Sequence, residues 1–194
     1  MFTDIVFPQN NENEFISLAK RLDISKLVFC YEYPDFKQNK QQNKAVIVNP
    51  QNIRKAKNHQ FPLISSRNDR FLFEQKYKFP LILHDLEKIA KFDSLHSRHS
   101  GLNHILCRLS NKNNIILGIS FSQLLNATPL KRAQILGRML QNIRLAKKYK
   151  MKIKLASFAT SPYEMRAPKD LESLGILLGL HPTEAKQALN EELS

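Results

Sequence analysis

Cysteine is nearly missing from this chain, acidic side chains are scarce, and no apolar run is long. Of 194 residues only Cys30 and Cys107 are cysteines. Both lie in apolar stretches with no partner at metal-ligand spacing, which excludes a disulfide scaffold and a cysteine-ligated zinc site. They read as reduced core residues of a cytosolic protein. No apolar stretch approaches the ~20 residues that span a bilayer. Met1-Phe2-Thr3-Asp4 lacks the basic and apolar regions of a signal peptide. The expected location is therefore cytoplasmic, with no membrane partner. Seventeen acids stand against thirty lysines and arginines, a net charge of +13. That imbalance speaks about partners, not fold. It points first to nucleic acid, with an anionic membrane surface or simple solubility as the other readings.

What is present fits one globular domain over residues 1–194, at 42% hydrophobic residues and a length sufficient for a sizeable core. Phe2–Phe7 reads as a strand and Asn10–Leu22 as a polar entry followed by a helix, with Phe15, Leu18, Ala19 and Leu22 on its packed face. Lys26–Tyr33, Ala45–Val48, Phe61–Ile64, Phe79–Leu83, Asn114–Ile119 and Lys152–Phe158 supply six more strand-like runs. Several are apolar without alternation, the pattern of strands covered on both faces. Seven such runs separated mostly by helices argue for a parallel α/β sheet, and periodicity leaves open whether it closes. Pro34–Lys44, amide-rich with Lys37, Lys40 and Lys44, reads as a solvated loop. Asn49-Pro50 opens a basic helix bearing Arg54, Lys55 and Lys57.

The longest helix follows Thr128-Pro129, an N-cap and a proline at the first helical position. Ala133, Leu136, Leu140 and Ile143 share one face, with Lys131, Gln134 and Arg138 roughly opposite. Between the preceding strand and this helix, Ser120–Asn126 reads as a shaped loop, and Gly118 marks a close backbone approach. A shorter helix after Gly101 places Leu102, Ile105, Leu106 and Leu109 on its apolar stripe, with His104 and Arg108 on the wet side. A last pair of helices starts at Pro168 and Pro182. His96, His99 and His104 invite a metal reading, but no fourth ligand accompanies them, so no bound metal is expected.

The ordered segments GISFSQLLNATPLKRAQIL and RAPKDLESLGILLG, from Gly118 to Gly179, resemble the C-terminal half of ribonuclease P protein component 3, the thirty-kilodalton-type subunit family. Two positions depart from the family pattern: Thr128 replaces an asparagine before the proline, and Lys169 replaces an arginine. The resemblance implies a compact, distorted TIM-barrel-like fold related to the polymerase-and-histidinol-phosphatase barrels. Those relatives carry a His-x-His after the first strand. Here Pro8-Gln9-Asn10 follows it, and no histidine precedes His59.

The same resemblance implies a subunit of the endonuclease that removes the 5′ leader of precursor tRNA. In that family the catalyst is RNA with bound Mg²⁺, so this chain is expected to hold no cofactor and no catalytic residue. Its implied partners are RNase P RNA, component 2 and the other protein subunits, with precursor tRNA reached through the holoenzyme. The RNA-contacting residues so implied are Arg67, Arg70, Arg98, His104, Arg132, Arg166 and Lys169. Periodicity alone leaves Ser65–Tyr77 open between strand and helix. The family pattern favours helix, with Arg67, Arg70 and Glu74 on one face, against the plainer reading of an Arg70–Glu74 surface ion pair. Phe36, Phe71 and Phe73, in polar surroundings, are the candidate face for a protein partner. A metal-dependent phosphoesterase and an RNA-binding scaffold outside tRNA processing are the rival readings.

Overall fold

Each strand takes its predecessor in the chain as its neighbour. In the computed structural model, which describes residues 2–32, 43–49, 52–53 and 61–191, seven strands follow the order β1 to β7 in one sheet. They are β1 (Thr3–Val6), β2 (Lys26–Glu32), β3 (Lys44–Ile47), β4 (Leu63–Ser65), β5 (Leu81–Leu83), β6 (Ile115–Ser120) and β7 (Ile153–Ala156). All six successive pairs are parallel. The sheet curls into a nearly closed barrel, as the family resemblance implied. At the seam β1 and β7 share no regular ladder. They meet through one parallel bridge, Val6 with Ala159, where the Phe7 amide donates to the Ala159 carbonyl at 2.8 Å.

The apolar strands are buried on both sides because the barrel has two cores. Ile5, Val28, Ala45, Ile64, Ile82 and Ile116 fill the interior with Cys30, Ala156 and Phe158. Their alternating neighbours, among them Phe29, Val46, Leu63, Leu81 and Leu117, pack against the helices outside. Gly118 is the close approach its position predicted. A Cβ there would lie 2.7 Å from Cζ of Phe158 and 3.0 Å from Cγ2 of Ile82, so a side chain would collide with the barrel filling.

Helices α1 (Glu12–Arg21), α2 (Arg70–Glu74), α3 (His104–Asn113), α4 (Phe121–Leu125), α5 (Pro129–Lys148), α6 (Pro168–Leu177) and α7 (Pro182–Asn190) form the outer layer among the described residues. Proline stands in the first turn of α5, α6 and α7, where its missing N–H costs nothing. Asn103 caps α3 by accepting from the Leu106 amide at 2.9 Å. Both cysteines are free and buried. The basic helix expected after Pro50, most of the Pro34–Lys44 loop and Phe36 lie outside the described residues. No helix of the described residues is long and apolar enough to cross a membrane.

Four local expectations are corrected. The segment after β6 is not a loop: Phe121–Leu125 is a short helix, capped where the Ser120 hydroxyl accepts from the Gln123 amide. Helix α2 begins only at Arg70, so Arg67 sits in the preceding loop and shares no helical face with Arg70 and Glu74. Phe73 is buried, leaving Phe71 as the half-exposed one of the pair. The buried stripe of α5 is Ile135, Arg138, Met139, Asn142, Ile143 and Ala146, while Ala133 is exposed. The helix is thus rotated from the face expected, and Arg138 points inward.

Candidate nucleic-acid interface

In a parallel barrel every β-to-α connection leaves from the carboxyl ends of the strands, and function is built on that rim. Each expected RNA-contacting residue lies in such a connection or in the first turn of the helix it leads to. Arg67 and Arg70 follow β4, Arg98 and His104 follow β5, Arg132 follows β6, and Arg166 and Lys169 follow β7. Seven positions spread over a hundred residues of sequence therefore belong to the connections at one end of the barrel, with Arg98 reaching from its connection to the middle of α5.

They are not equally free. Arg67 is exposed, and its backbone amide is held by the Ser65 hydroxyl at 3.3 Å. Arg70 makes the plain ion pair with Glu74, 2.7 Å, both side chains largely in solvent; such a pair contributes at most ~1 kcal/mol. Arg132 is a fastener for α4: it donates to the carbonyls of Leu124 (2.8 Å), Leu125 (3.4 Å) and Ala127 (3.1 Å). Leu124 and Leu125 close α4, where carbonyls lack a full set of intrahelical partners. Arg166 is tied to the carbonyls of Tyr163 (2.9 Å) and Met165 (2.7 Å) and lies 5.1 Å over the Phe121 ring. Lys169 and His104 are exposed on the first turns of α6 and α3. Arg98 lies along α5, donating to the Gly137 carbonyl at 3.1 Å.

The barrel mouth is filled. His84, just past β5, stacks on Phe158 with centroids 4.9 Å apart and lies tilted against Phe7 at 5.3 Å. Beside it lies a buried polar network that the sequence did not announce. Arg138, 2% exposed, donates Nε to Asp93 Oδ1 at 2.8 Å and Nη1 to the carbonyls of Glu87 (2.6 Å) and Ala90 (2.7 Å). Asn142 donates to Glu87 Oε1 at 2.7 Å and to the Ser100 carbonyl at 2.8 Å. Two side chains of α5 thereby hold the whole β5–α3 connection against the barrel.

Burial pushes the Glu87 carboxyl up from 4.5 to about 7, although Asn142 donates to it. The folded protein thus binds this proton more tightly than the unfolded chain. The resulting stabilisation is complete below pH 4.5 and is lost as pH rises through about 7. Glu87→Gln should flatten the loss of stability between pH 5 and 8 by on the order of 2 kcal/mol. Melting curves of both proteins at three pH values check this. Parallel decline in the two would remove Glu87 as the cause.

Residues 89–194 match the family described as RNase P subunit p30. Ribonuclease P protein component 3 of Thermococcus kodakarensis is 42% identical over 90 residues, 46% of this chain and 41% of the relative. The component 3 protein of Thermococcus gammatolerans is 37% identical over 106 residues, 52% of this chain and 50% of the relative. That of Methanosarcina acetivorans is 32% identical over 93 residues, 48% of this chain and 39% of the relative. The chain thus spans about half the length, or less, of the curated relatives it matches. A chain in the cryo-EM structure of archaeal ribonuclease P with mature tRNA shares the fold at a TM-score of 0.69 and 21% identity, covering 96% of this chain and 87% of that one. The matched region carries α3, β6, α5, β7 and the helices after them, and with it five of the seven rim positions: this chain belongs to the RNase P subunit p30 family.

Proposed function

We propose that this chain is a protein subunit of ribonuclease P that binds and stabilises the catalytic RNA during removal of the 5′ leader of precursor tRNA. Membership of the p30 family carries this reading. The net charge of +13 and the seven rim positions support it. The chemistry assigned to the chain is electrostatic: guanidinium forks suit phosphate geometry, and A-form RNA presents phosphates and 2′-hydroxyls rather than readable base edges. Magnesium and the bond-breaking step belong to the RNA, so the chain acts within a nuclease without being one. Cleavage of precursor tRNA by the purified, RNA-free chain would sink that division of labour.

The partners proposed are RNase P RNA, component 2 and the other protein subunits. Pull-down of the tagged chain, read by RNA sequencing and mass spectrometry, should return them together. Recovery of an unrelated RNA without those subunits would favour a scaffold outside tRNA processing.

Among the rim cations, Arg67 and Arg70 are exposed and Arg70 spends little on Glu74, so they are the pair to remove first. Binding to RNase P RNA should weaken with salt, and Arg67→Ala with Arg70→Ala should lower the log–log slope by roughly 1.5. Titrations at four salt concentrations measure it. An unchanged slope would return both arginines to a surface role.

A further inference from the structure

The connection from β5 to α3 ends in a rigid projection that none of the observations above explains. Phe92 is 70% exposed and Leu95 91% exposed, yet the backbone beneath them is tightly braced. Ser94 and Ser97 exchange backbone hydrogen bonds at 2.9 and 3.4 Å. The His99 ring joins the Ser94 hydroxyl through Nε2 and the Phe92 carbonyl through Nδ1, both at 2.9 Å. Asp93, between the exposed residues, is anchored inward by Arg138 and by the His99 amide at 2.9 Å. Two large apolar side chains in water cost solubility, and here they are held out rather than left to fold back.

The charges around them have one sign. Of the acids in the connection, Asp85 is paired with Lys88 at 3.1 Å, Glu87 is buried, and Asp93 is taken by Arg138. Lys91 stands 5.3 Å over the Phe92 ring. His96 and Arg98 are exposed beside it.

Arg98 has an unusual seat. It lies across Gly137 in the middle of α5. A Cβ on Gly137 would meet Cζ of Arg98 at 3.1 Å, Nε at 3.2 Å and Nη1 at 3.5 Å, and these are the three nearest atoms to it. A glycine there costs the helix ~1 kcal/mol against alanine. The space it leaves is occupied by a guanidinium plane, with one face on the helix and only Nη1 bonded, to the Gly137 carbonyl.

We propose that this knuckle, Phe92 to Arg98 seated on Gly137, is a docking site for an unpaired nucleotide of RNA. Phe92 offers a stacking face, and Arg98, fixed by its glycine seat, offers the rest of its fork to the neighbouring phosphate. Exposed aromatics interleaved with cations bind single strands in this way, because every base has a π-face. A polyanion is the occupant that matches a surface whose acids are all engaged. The proposal rests on the RNA-binding reading above and adds the part of the RNA that is contacted.

The test uses the full chain, an oligouridylate probe and an RNA duplex of equal length, each followed by fluorescence anisotropy. Phe92→Ala should weaken oligouridylate binding roughly tenfold, the usual size of one stacked base, and leave the duplex little affected. Gly137→Leu keeps every charge and improves helix propensity, but it evicts Arg98. It should weaken oligouridylate binding several-fold without lowering the melting temperature, and Gly137→Ala should fall between it and the parent. Arg98→Lys should resemble Gly137→Leu, since charge survives and the plane does not. Unchanged oligouridylate affinity in Phe92→Ala and Gly137→Leu, with binding to RNase P RNA intact, would overturn the knuckle and leave the function standing. Loss of a protein subunit instead of RNA from the pulled-down complex of Phe92→Ala would overturn it in favour of a protein-docking surface. An unaltered chain that binds neither probe nor RNase P RNA would overturn both readings.

Discussion

Arg138→Ala should destabilise the protein by roughly 3–5 kcal/mol, because a large buried side chain is removed and buried carbonyls lose their donor. The arginine is 2% exposed and meets Asp93 and two backbone carbonyls at once. Truncation leaves the Glu87 and Ala90 carbonyls without this donor and opens a cavity where the guanidinium lay, while Asp93 keeps the His99 amide and Gln134. For a chain of this size ~1 kcal/mol moves the melting temperature by about 2–4 °C, so a fall of roughly 10 °C is expected. Arg138→Lys restores the charge but not the fork, and a single ammonium cannot reach three acceptors arranged for a plane. It should recover less than half of the loss. A melting temperature within two or three degrees of the parent in Arg138→Ala would show that the carbonyls find water cheaply. The same variant should free the β5–α3 connection, because Asp93 is the inward anchor of the knuckle.

The second large effect is expected at the seam. Asp4 is wholly buried in β1, and its carboxylate accepts from the Ser157 amide at 2.6 Å, the Ser157 hydroxyl at 2.7 Å and the Ile5 amide at 2.9 Å. Ser157 is itself buried, so Asp4→Ala leaves its amide and hydroxyl with no partner. Each unsatisfied buried group costs about 1–3 kcal/mol, giving roughly 3 kcal/mol in all. Ser157→Ala removes one bond and should cost about 1 kcal/mol. Asp4→Asn keeps an acceptor for the amide and supplies a donor that the hydroxyl can accept, so it should be the mildest. Burial holds the Asp4 carboxyl above its ordinary value, against the bonds from Ser157. Neutral asparagine therefore removes a penalty as well as a contact. Chemical denaturation of the three variants gives the ranking, and Asp4→Asn proving the most costly would mean that the negative charge itself holds the seam.

Most of the barrel was legible because buried parallel strands need few polar residues. Ile115–Ser120 is buried along its whole length, and its apolar run said so. The helix starts were legible through Thr128-Pro129, Pro168 and Pro182. The inward face of α5 was not. Its true stripe, from Ile135 through Arg138, Met139, Asn142 and Ile143 to Ala146, follows helical spacing faithfully. Reading Arg138 as a surface residue, and passing over Asn142, turned the expected face toward Leu136 and Leu140, which are only half-buried. The partners that bury these two polar groups lie some fifty residues earlier, in a stretch without periodicity, and no local pattern could supply them. Asp4 was open to notice, as an acid between Thr3 and Ile5 in an otherwise apolar strand. The rim positions came from family resemblance, since an arginine that fastens a helix end and one that waits for phosphate look alike in sequence.

Because spatial order follows chain order, with each strand beside the one before it, assembly can proceed vectorially. As the chain emerges from the ribosome, β2 finds β1 already present, β3 finds β2, and so on. Each addition closes only the loop between neighbours, and the entropy of closure grows slowly with that short length. The seam is the exception, joining positions 153 residues apart. It must wait until β7 has been made, and until then both β1 and the newest strand present an open edge. Registration of the barrel is then a terminal event, the closing of a clasp rather than the zipping of a sheet. The Asp4–Ser157 contact is the pawl that keeps the clasp from slipping once β1 and β7 meet.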